Sequence, residues 1–264
     1  MNPRAATARA EDLARYYDLD LLDDPGDLAM YVALAARSEG PILELAAGSG
    51  RICVPLAAAG HAVTAVDNDP QMLDRARLAW AKAAGAGRGG TLTLIEHDLT
   101  TLRLNARFGL VVLALNSLLL LDGRAAQLRA LEVMRSHLAP EGRAVVDVWL
   151  PSAEDLALYD GRQALDWVRT DHETGARVAK SWSATYDRAT HTATVSTRFE
   201  GSADGAEGTR VERQDEIRFV GAQELLALAG QAGLIPETLA GDYDMTPLAD
   251  ESERIVLVAR VAPA

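Results

Sequence analysis

The feature that most constrains this 264-residue chain is a glycine-rich turn between two apolar runs. Residues 41–51 read PILELAAGSGR, so a short apolar run ends in a turn that contains Gly48 and Gly50. A stretch able to form a helix follows, and AVTAVD at 62–67 is the second apolar run. Strand, turn, helix and strand make one βαβ unit, in which the strands are parallel and the crossover is right-handed. The glycine backbone and the helix amides at such a turn allow a ligand to approach closely.

The alternation of strands and helices continues to residue 150. Further apolar runs at 91–98, 108–118 and 143–150 predict strands that are buried on both faces, as in doubly wound sheets. Residues 164–218 are instead rich in Thr, Val and aromatic residues and are punctuated by turns, which predicts three or four antiparallel strands. Helical periodicity then returns, followed by two last strands. We therefore expect an α/β fold: a Rossmann-like, doubly wound, mostly parallel seven-stranded sheet with an antiparallel β insertion between strand 5 and the penultimate helix.

Charge and cysteine content narrow the classes of function. The chain has 26 basic and 38 acidic side chains, a net charge of −12, which argues against a general nucleic-acid or membrane-surface binder. Cys53 is the single cysteine, which excludes an internal disulfide and argues against a cysteine-based zinc site. No run approaches the ~20 apolar residues of a membrane helix. We expect a soluble, cytoplasmic protein with no metal site and no nucleic-acid or membrane partner.

Three carboxylates near the ends of successive apolar runs indicate the ligand. A dinucleotide fingerprint needs a third glycine three residues after Gly50, where this chain has Cys53. Glu44, beside the turn, suits an ammonium or sulfonium group better than a pyrophosphate. Asp67, 17 residues beyond Gly50, can accept both ribose hydroxyls, and Asp98 can accept from an adenine amino group. A ligand with ribose, adenine and a cationic end fits S-adenosylmethionine (SAM) better than NAD or ATP. ATP is further disfavoured because no P-loop motif is present.

Three motifs in order carry a family resemblance. LELAAGSGR, VTAVDNDPQML and IEHDL resemble the class I SAM-dependent methyltransferases, and FVGAQELLALAGQAGL is similar to their penultimate helix. The similarity covers residues 40–150 and 216–262. Ala46 departs from it, because the family usually has glycine there. The antiparallel insertion resembles the small-molecule branch that contains amino-sugar and glycine N-methyltransferases. The resemblance implies SAM as cofactor and S-adenosylhomocysteine (SAH) as product.

The resemblance also implies roles for particular residues, and these cover the whole cofactor. The expected cofactor-binding residues are Glu44, Ala46, Gly48 and Gly50 around the methionine portion, Asp67 on the ribose, Asn68, Met72, Asp98 and Leu99 around the adenine, Asn116 beside the transferred methyl, and Tyr16 in the N-terminal segment. Taken alone, Met72 and the tyrosines of that segment can equally belong to the core.

The same resemblance suggests how the chain is organised. Residues 1–39 are expected to form an N-terminal helical lid segment, in which the residues themselves indicate a loose polar tail over 1–12 and an amphipathic helix at 27–38. Residues 40–150 and 216–264 are expected to form the SAM-binding core. The insertion at 151–215 is expected to cover the substrate or to pair two copies of the chain, so that a homodimer is one expected assembly.

The reaction class is clearer than the catalytic residues. Asn116, Asp147, His172 and Tyr243 are candidates for contact with the acceptor, and each has an equally ordinary structural interpretation. ALNSLLLL follows the fourth apolar run in place of an N-P-P-[YF] motif, which argues against base, glutamine or DNA methylation. The leading hypothesis is a methyltransferase for a small molecule, with nitrogen favoured over oxygen and the need for a general base left open. The alternatives are a non-catalytic SAM-binding regulatory or interaction protein and, disfavoured by Cys53 and Glu44, an NAD-dependent oxidoreductase.

Overall fold

The computed structural model describes residues 3–84, 89–202 and 208–262. In chain order the helices and strands are α1 (Pro3–Asp20), α2 (Leu28–Ala36), β1 (Ile42–Leu45), α3 (Cys53–Ala58), β2 (Ala62–Asp67), α4 (Pro70–Ala84), β3 (Thr91–Glu96), β4 (Phe108–Leu113), a 3₁₀ turn (Ser117–Leu120), α5 (Gly123–His137), β5 (Leu138–Trp149), α6 (Ala153–Ala157), β6 (Ala164–Thr170), β7 (Arg177–Asp187), β8 (Thr192–Ser202), β9 (Thr209–Arg218), α7 (Ala222–Gln231), β10 (Leu234–Ala240) and β11 (Arg254–Val261).

The chain divides into two compact units. One contains the residues up to Asp24 together with Pro151–Phe219, and the other contains Pro25–Leu150 together with the residues from Val220 onward. The N-terminal segment is thus shared, because α1 belongs to the first unit and α2 to the second. The roles of lid and cover that we assigned to these parts remain predictions.

The second unit is a seven-stranded sheet in the order β10-β11-β5-β4-β1-β2-β3. β11 is antiparallel to both of its neighbours, and β1 to β5 are mutually parallel wherever they pair. Every residue of β1 and β4 is buried, as their continuous apolar sequences predict. The same expectation is wrong for β3, which has no fully buried residue because it is an edge strand of the sheet. The expected Rossmann-like α/β sheet is confirmed. The strand order reverses at β1, where β2 lies on one side and β4 on the other, and ligands of such sheets bind outside the carboxyl ends of the strands at this point.

The first unit is a four-stranded antiparallel sheet in the order β6-β7-β8-β9, so the expected insertion is present with four strands. α1 packs on this sheet through Tyr16 and Leu19, which share a buried cluster with Phe199. The carboxylate of Asp20, at the end of α1, accepts hydrogen bonds from Trp167 Nε1 at 2.9 Å and from Lys180 Nζ at 2.7 Å.

The expectation of a polar tail over 1–12 is wrong, because α1 is helical from Pro3. Its sequence, PRAATARAEDLARYYDLD, is rich in alanine and arginine, which have high helix propensity, and proline is tolerated in a first turn. Propensity therefore outweighs the polar composition on which we based the expectation.

The described ranges contain neither a membrane-spanning helix nor a cluster of metal ligands. None of the helices in them is long and apolar enough to cross a membrane. The same ranges hold no group of three or more His, Cys, Asp or Glu side chains that could bind a metal ion. Cys53 is a free thiol and is buried.

Candidate active site at the carboxyl end of the sheet

Five of the residues selected from the sequence lie at or near the carboxyl ends of β1 to β5. Glu44 is on β1, and Asp67 is the last residue of β2. Asp98 follows β3, Asn116 follows β4, and Asp147 lies near the end of β5. Because these strands are parallel, their carboxyl ends meet along one end of the sheet, and the structure brings the five residues to that end.

The glycine turn between β1 and α3 has an unusual backbone. Ala46, Gly48 and Gly50 have φ angles of 54°, 56° and 91°. Only Ala46 carries a side chain there, and a left-handed alanine costs roughly 1–2 kcal/mol. A Cβ at Gly50 would lie 2.9 Å from Cγ2 of Val54 and 3.1 Å from Cβ of Ala76. Glycine at position 50 is therefore required both by the backbone and by the close packing of α3 against α4.

Glu44 is a buried carboxylate whose charge is incompletely compensated. It is 3% exposed, and its Oε2 has no hydrogen-bond partner among the described residues. Burial raises the pKa of Glu44 to about 8, although the Arg51 charge and hydrogen bonds from the thiol and amide of Cys53 oppose the rise. Arg51 is itself paired with the fully buried Asp27, whose charge raises the pKa of Glu44 further. A cationic group is thus the ligand that this carboxylate lacks.

Asp67 links the ends of β1 and β2. Its Oδ2 accepts from the amide of Gly48 at 2.7 Å, and its Oδ1 accepts from the amide of Asp69 at 2.9 Å. Burial raises the pKa of Asp67, while these two amides act to lower it. A carboxylate has about four acceptor sites, so Asp67 keeps the capacity to accept from a ribose hydroxyl. Next to it, Asn68 is exposed and Met72 is half-buried in the first turns of α4.

Asp98 is exposed and is oriented by its own turn. Its Oδ1 accepts from both the amide and the hydroxyl of Thr100, each at 2.8 Å, and these bonds hold the pKa of Asp98 below its usual value. Its Oδ2 has no hydrogen bond within the described part of the chain. Leu99 is half-buried beside it. The ionised carboxylate can accept a hydrogen bond from an amino group, and its contact with the adenine remains a prediction.

The structure also brings together Asp147 and Tyr243. Asp147 is fully buried, and its Oδ2 accepts from the hydroxyl of Tyr243 at 2.9 Å and from Nη1 of Arg254 at 3.0 Å. The guanidinium of Arg254 lies 4.2 Å from the centroid of the Tyr243 ring. Burial and the Asp147 charge raise the pKa of Tyr243 far above its usual value, so this phenol is a donor and not a base at neutral pH.

The two other selected residues belong to the antiparallel unit. His172 is exposed in the turn between β6 and β7. Tyr16 is buried, with its ring centroid 5.2 Å from that of Phe199 and its hydroxyl oxygen 3.0 Å from Oγ1 of Thr209. Both assignments, to the acceptor and to the cofactor, remain predictions.

Several hydrogen-bond partners of the buried carboxylates Asp147 and Asp27 were not predicted from the sequence. The hydroxyl of Tyr31 donates to Oδ1 of Asp147 at 2.6 Å, Arg254 binds the same carboxylate, and Arg51 binds Asp27. One signal was available: Asp147 is the single charged residue inside the apolar run AVVDVWL, and a buried carboxylate requires donors. The identity of the donors was not accessible, because they come from distant parts of the chain.

Comparison with known proteins identifies the class of this site. Residues 42–142 match the family described as "Methyltransferase domain". This segment runs from β1 to the start of β5 and contains the glycine turn, Glu44, Asp67, Asp98 and Asn116. Residues 42–142 form a methyltransferase domain. The resemblance of the sequence to class I methyltransferases is confirmed over this segment, and the match supports enzyme activity as a methyltransferase.

Solved structures resemble the whole chain and not the domain alone. A SAM-dependent methyltransferase from Clostridium acetobutylicum has a TM-score of 0.77 at 17% identity and covers 95% of this chain and 98% of its own. The CcbJ methyltransferase from Streptomyces caelestis has a TM-score of 0.74 at 26% identity, covering 90% and 96%. The sugar N-methyltransferase KedS8 from Streptoalloteichus has a TM-score of 0.69 at 21% identity, covering 93% and 92%. A search of curated proteins finds no significant match.

Proposed function

We propose that this chain transfers a methyl group from SAM to the nitrogen of a small-molecule amine. The observation that carries the proposal is the placement of Glu44, Asp67 and Asp98 on three adjacent parallel strands of a methyltransferase domain. SAM is the cofactor of the class to which the domain belongs. Its three polar parts, the cationic amino-acid end, the ribose and the adenine, correspond in order to these three carboxylates.

The residues present fit this cofactor. The unpartnered Oε2 of Glu44 lacks a cation, and the ammonium of the methionine portion would supply it. The left-handed backbone of Ala46, Gly48 and Gly50 keeps the turn open for close approach. Asp67 would hold the ribose through its remaining lone pairs, with Asn68 and Met72 beside the adenine. Asp98 and the amide of Leu99 would meet the adenine edge.

Methyl transfer requires the chain to orient the acceptor and the methyl group more than it requires proton transfer. SAM, when bound, supplies a methyl group on a positively charged sulfur. The acceptor nitrogen forms the new N–C bond in line as the C–S bond breaks, and the proton that nitrogen then carries leaves to water. Residues that hold the acceptor in line with the methyl and exclude water from the pocket account for most of the acceleration.

The state of the titratable candidates favours nitrogen over oxygen. A hydroxyl acceptor usually needs a base, whereas an amine has a neutral fraction at neutral pH. In the seven-stranded unit, Asp147 accepts four hydrogen bonds, from Tyr31, Leu115, Tyr243 and Arg254, and Tyr243 holds its proton tightly. Neither is a free base. The structural neighbours KedS8, a sugar N-methyltransferase, and MtfA, a glycopeptide N-methyltransferase, support the same choice.

A panel of acceptors tests the reaction. We expect transfer of labelled methyl from SAM to at least one primary or secondary amine, and little transfer to phenols, because neither Asp147 nor Tyr243 is a free base that could activate a hydroxyl. Liquid-chromatographic separation of the labelled products identifies the atom that is methylated. Turnover of phenols or acids alone would contradict the choice of nitrogen.

Glu44 predicts that cofactor binding releases a proton. Because its pKa is about 8, against an ordinary value of 4.5, Glu44 is mostly protonated at pH 6.5 in the free chain. A cationic ligand favours the ionised form, so SAM binding at pH 6.5 should release about one proton. Calorimetry in buffers of different ionisation enthalpy counts that proton, and Glu44→Gln should release about one fewer.

The raised pKa of Glu44 also makes the free energy of unfolding depend on pH. Between about pH 4.5 and pH 8 the folded chain holds a proton at Glu44 that the unfolded chain has lost, so the free energy of unfolding should fall as pH rises through this window. Glu44→Gln should flatten that slope.

Equal proton release on SAM binding by the wild-type protein and by Glu44→Gln would show that the cofactor does not change the protonation of Glu44.

The roles of the remaining parts belong to the same proposal. The antiparallel unit covers the substrate or pairs two copies of the chain, residues 1–39 serve as a lid, and the enzyme acts in the cytoplasm. Light scattering coupled to gel filtration, over a range of protein concentrations, distinguishes monomer from homodimer. A monomer at all concentrations would leave substrate cover as the role of the insertion.

A further inference from the structure

The turn after β4 is held in a strained conformation. Leu115 and Asn116 have φ angles of 46° and 65°, so two successive residues with side chains occupy the left-handed region. The left-handed region is strained for Leu and less so for Asn, and such a pair persists only where its surroundings hold it. Strain of this kind is concentrated at functional sites, and this turn follows β4 at the carboxyl end of the sheet.

Three hydrogen bonds from the end of β5 hold the turn. The amide of Leu115 donates to Oδ1 of Asp147 at 2.7 Å, and the amide of Asn116 donates to the carbonyl oxygen of Asp147 at 3.2 Å. The amide of Trp149 donates to Oδ1 of Asn116 at 2.5 Å. Asp147 therefore binds the turn through its side chain and its main chain, and Trp149 binds its side chain.

The Asp147 carboxylate is in turn fixed from several directions. Besides the amide of Leu115, it accepts from the hydroxyl of Tyr31 on α2, the hydroxyl of Tyr243 and the guanidinium of Arg254. The side chain is fully buried. Four donors on a fully buried carboxylate fix its orientation, so Asp147 is built as a stationary acceptor.

The hydrogen bond from Trp149 determines which polar group of the Asn116 side chain remains to bind a ligand. An amide has one oxygen and one NH₂ group, and the oxygen of Asn116 accepts from Trp149 N. The half-buried side chain is left with Nδ2, a donor without a hydrogen-bond partner among the described residues. A donor cannot take the lone pair of the reacting nitrogen without blocking the reaction. Its partner on the acceptor molecule is therefore a different atom, one that accepts a hydrogen bond.

We propose that Asp147 is a positioning residue that holds the Leu115–Asn116 turn in its left-handed conformation, so that Nδ2 of Asn116 orients the acceptor through an atom other than the reacting nitrogen. The proposal rests on the proposed function for the identity of the reaction. The geometry of the turn is independent of it.

The first test acts on the turn itself. Asn116→Asp keeps an oxygen for Trp149 N but removes the donor. With the amine that is best methylated in the panel, KM for that amine should rise about tenfold or more, which is the usual loss for one hydrogen bond. The affinity for SAH, measured by calorimetry, should change less than threefold. An unchanged KM and kcat for the amine would overturn the role of Asn116.

The second test separates positioning by Asp147 from simple stability. Asp147→Asn should lower kcat about 100-fold, because small misplacements of reacting groups cost this much, with SAH affinity changed far less. Leu115→Gly in the same chain should restore at least tenfold of that loss, because glycine adopts positive φ without strain. Leu115→Gly alone and Asp74→Asn, an exposed carboxylate on α4, are the controls. If kcat falls in Asp147→Asn and Leu115→Gly does not restore it, Asp147 does not act by positioning the turn.

Hydrogen exchange gives a readout that needs no activity. In the Asp147→Asn protein the peptide covering residues 113–120 should exchange at least tenfold faster, whereas peptides from β1 and β2 should keep their protection. Uniform loss of protection along the chain, or none in this peptide, would overturn the role of Asp147. A wild-type protein that methylates no amine would refute the proposed function and leave this result interpretable.

Discussion

Asp67→Ala is expected to weaken SAM binding at least 100-fold. The variant removes both carboxylate oxygens that would accept from the ribose, and each hydrogen bond to a charged group contributes about 1.5–3 kcal/mol. It also releases the amides of Gly48 and Asp69, which Asp67 fixes at 2.7 Å and 2.9 Å. Isothermal titration calorimetry with SAM and with SAH measures the loss.

Two companion variants separate ribose binding from damage to the turn. Asp67→Asn keeps one oxygen acceptor and should lose less affinity than Asp67→Ala. Asp74→Ala removes an exposed carboxylate from α4, where Asp74 pairs with Arg77 at the surface, and should bind SAM as the wild type does. An affinity of Asp67→Ala within threefold of the wild-type value would show that Asp67 does not hold the ribose.

Gly50→Ala is expected to lower the free energy of unfolding by about 3 kcal/mol. Its φ of 91° is strained for any residue with a Cβ, at roughly 1–2 kcal/mol. The added methyl would also meet Val54 Cγ2 at 2.9 Å and Ala76 Cβ at 3.1 Å, and such overpacking costs about 1–3 kcal/mol. Urea denaturation followed by circular dichroism measures the change.

Gly60→Ala is the matched control for this variant. Gly60 has a φ of 107°, but a Cβ there meets no atom within 4 Å. It should therefore show the backbone strain alone, about 1–2 kcal/mol, and the difference between the two variants measures the packing of α3 against α4. Equal losses in both variants would show that this contact is not tight.

The sequence predicts the architecture of the sheet well because its signals are local. Continuous apolar runs predict buried parallel strands, and β1 and β4 are buried at every residue. The order of strands across the sheet is not local, because β4 pairs with β1 across more than 60 residues of chain. The sequence therefore did not predict that order. At the N-terminus we weighted polarity over alanine content, and α1 shows that this was wrong.

In the candidate site, too, local features could be predicted from the sequence and contacts between distant parts of the chain could not. Glu44, Asp67 and Asp98 were predictable because each carboxylate lies near the end of an apolar run, and parallel strands end together. The hydrogen bonds of Asp147 were not, because Tyr31 and Arg254 lie 116 and 107 residues away along the chain. The left-handed turn at Leu115 and Asn116 has no glycine to mark it, and Asn116, a residue type that tolerates positive φ, is by itself too weak a signal to predict it.

Calorimetric titration of the full chain with SAM, repeated in the presence of NAD, tests the central claim most directly. We expect a single saturable site, binding of SAH at the same site, no competition from NAD, and a parallel rise in melting temperature as each ligand is added. No heat and no thermal shift with SAM, or displacement of SAM by NAD, would contradict the assignment of this site to SAM.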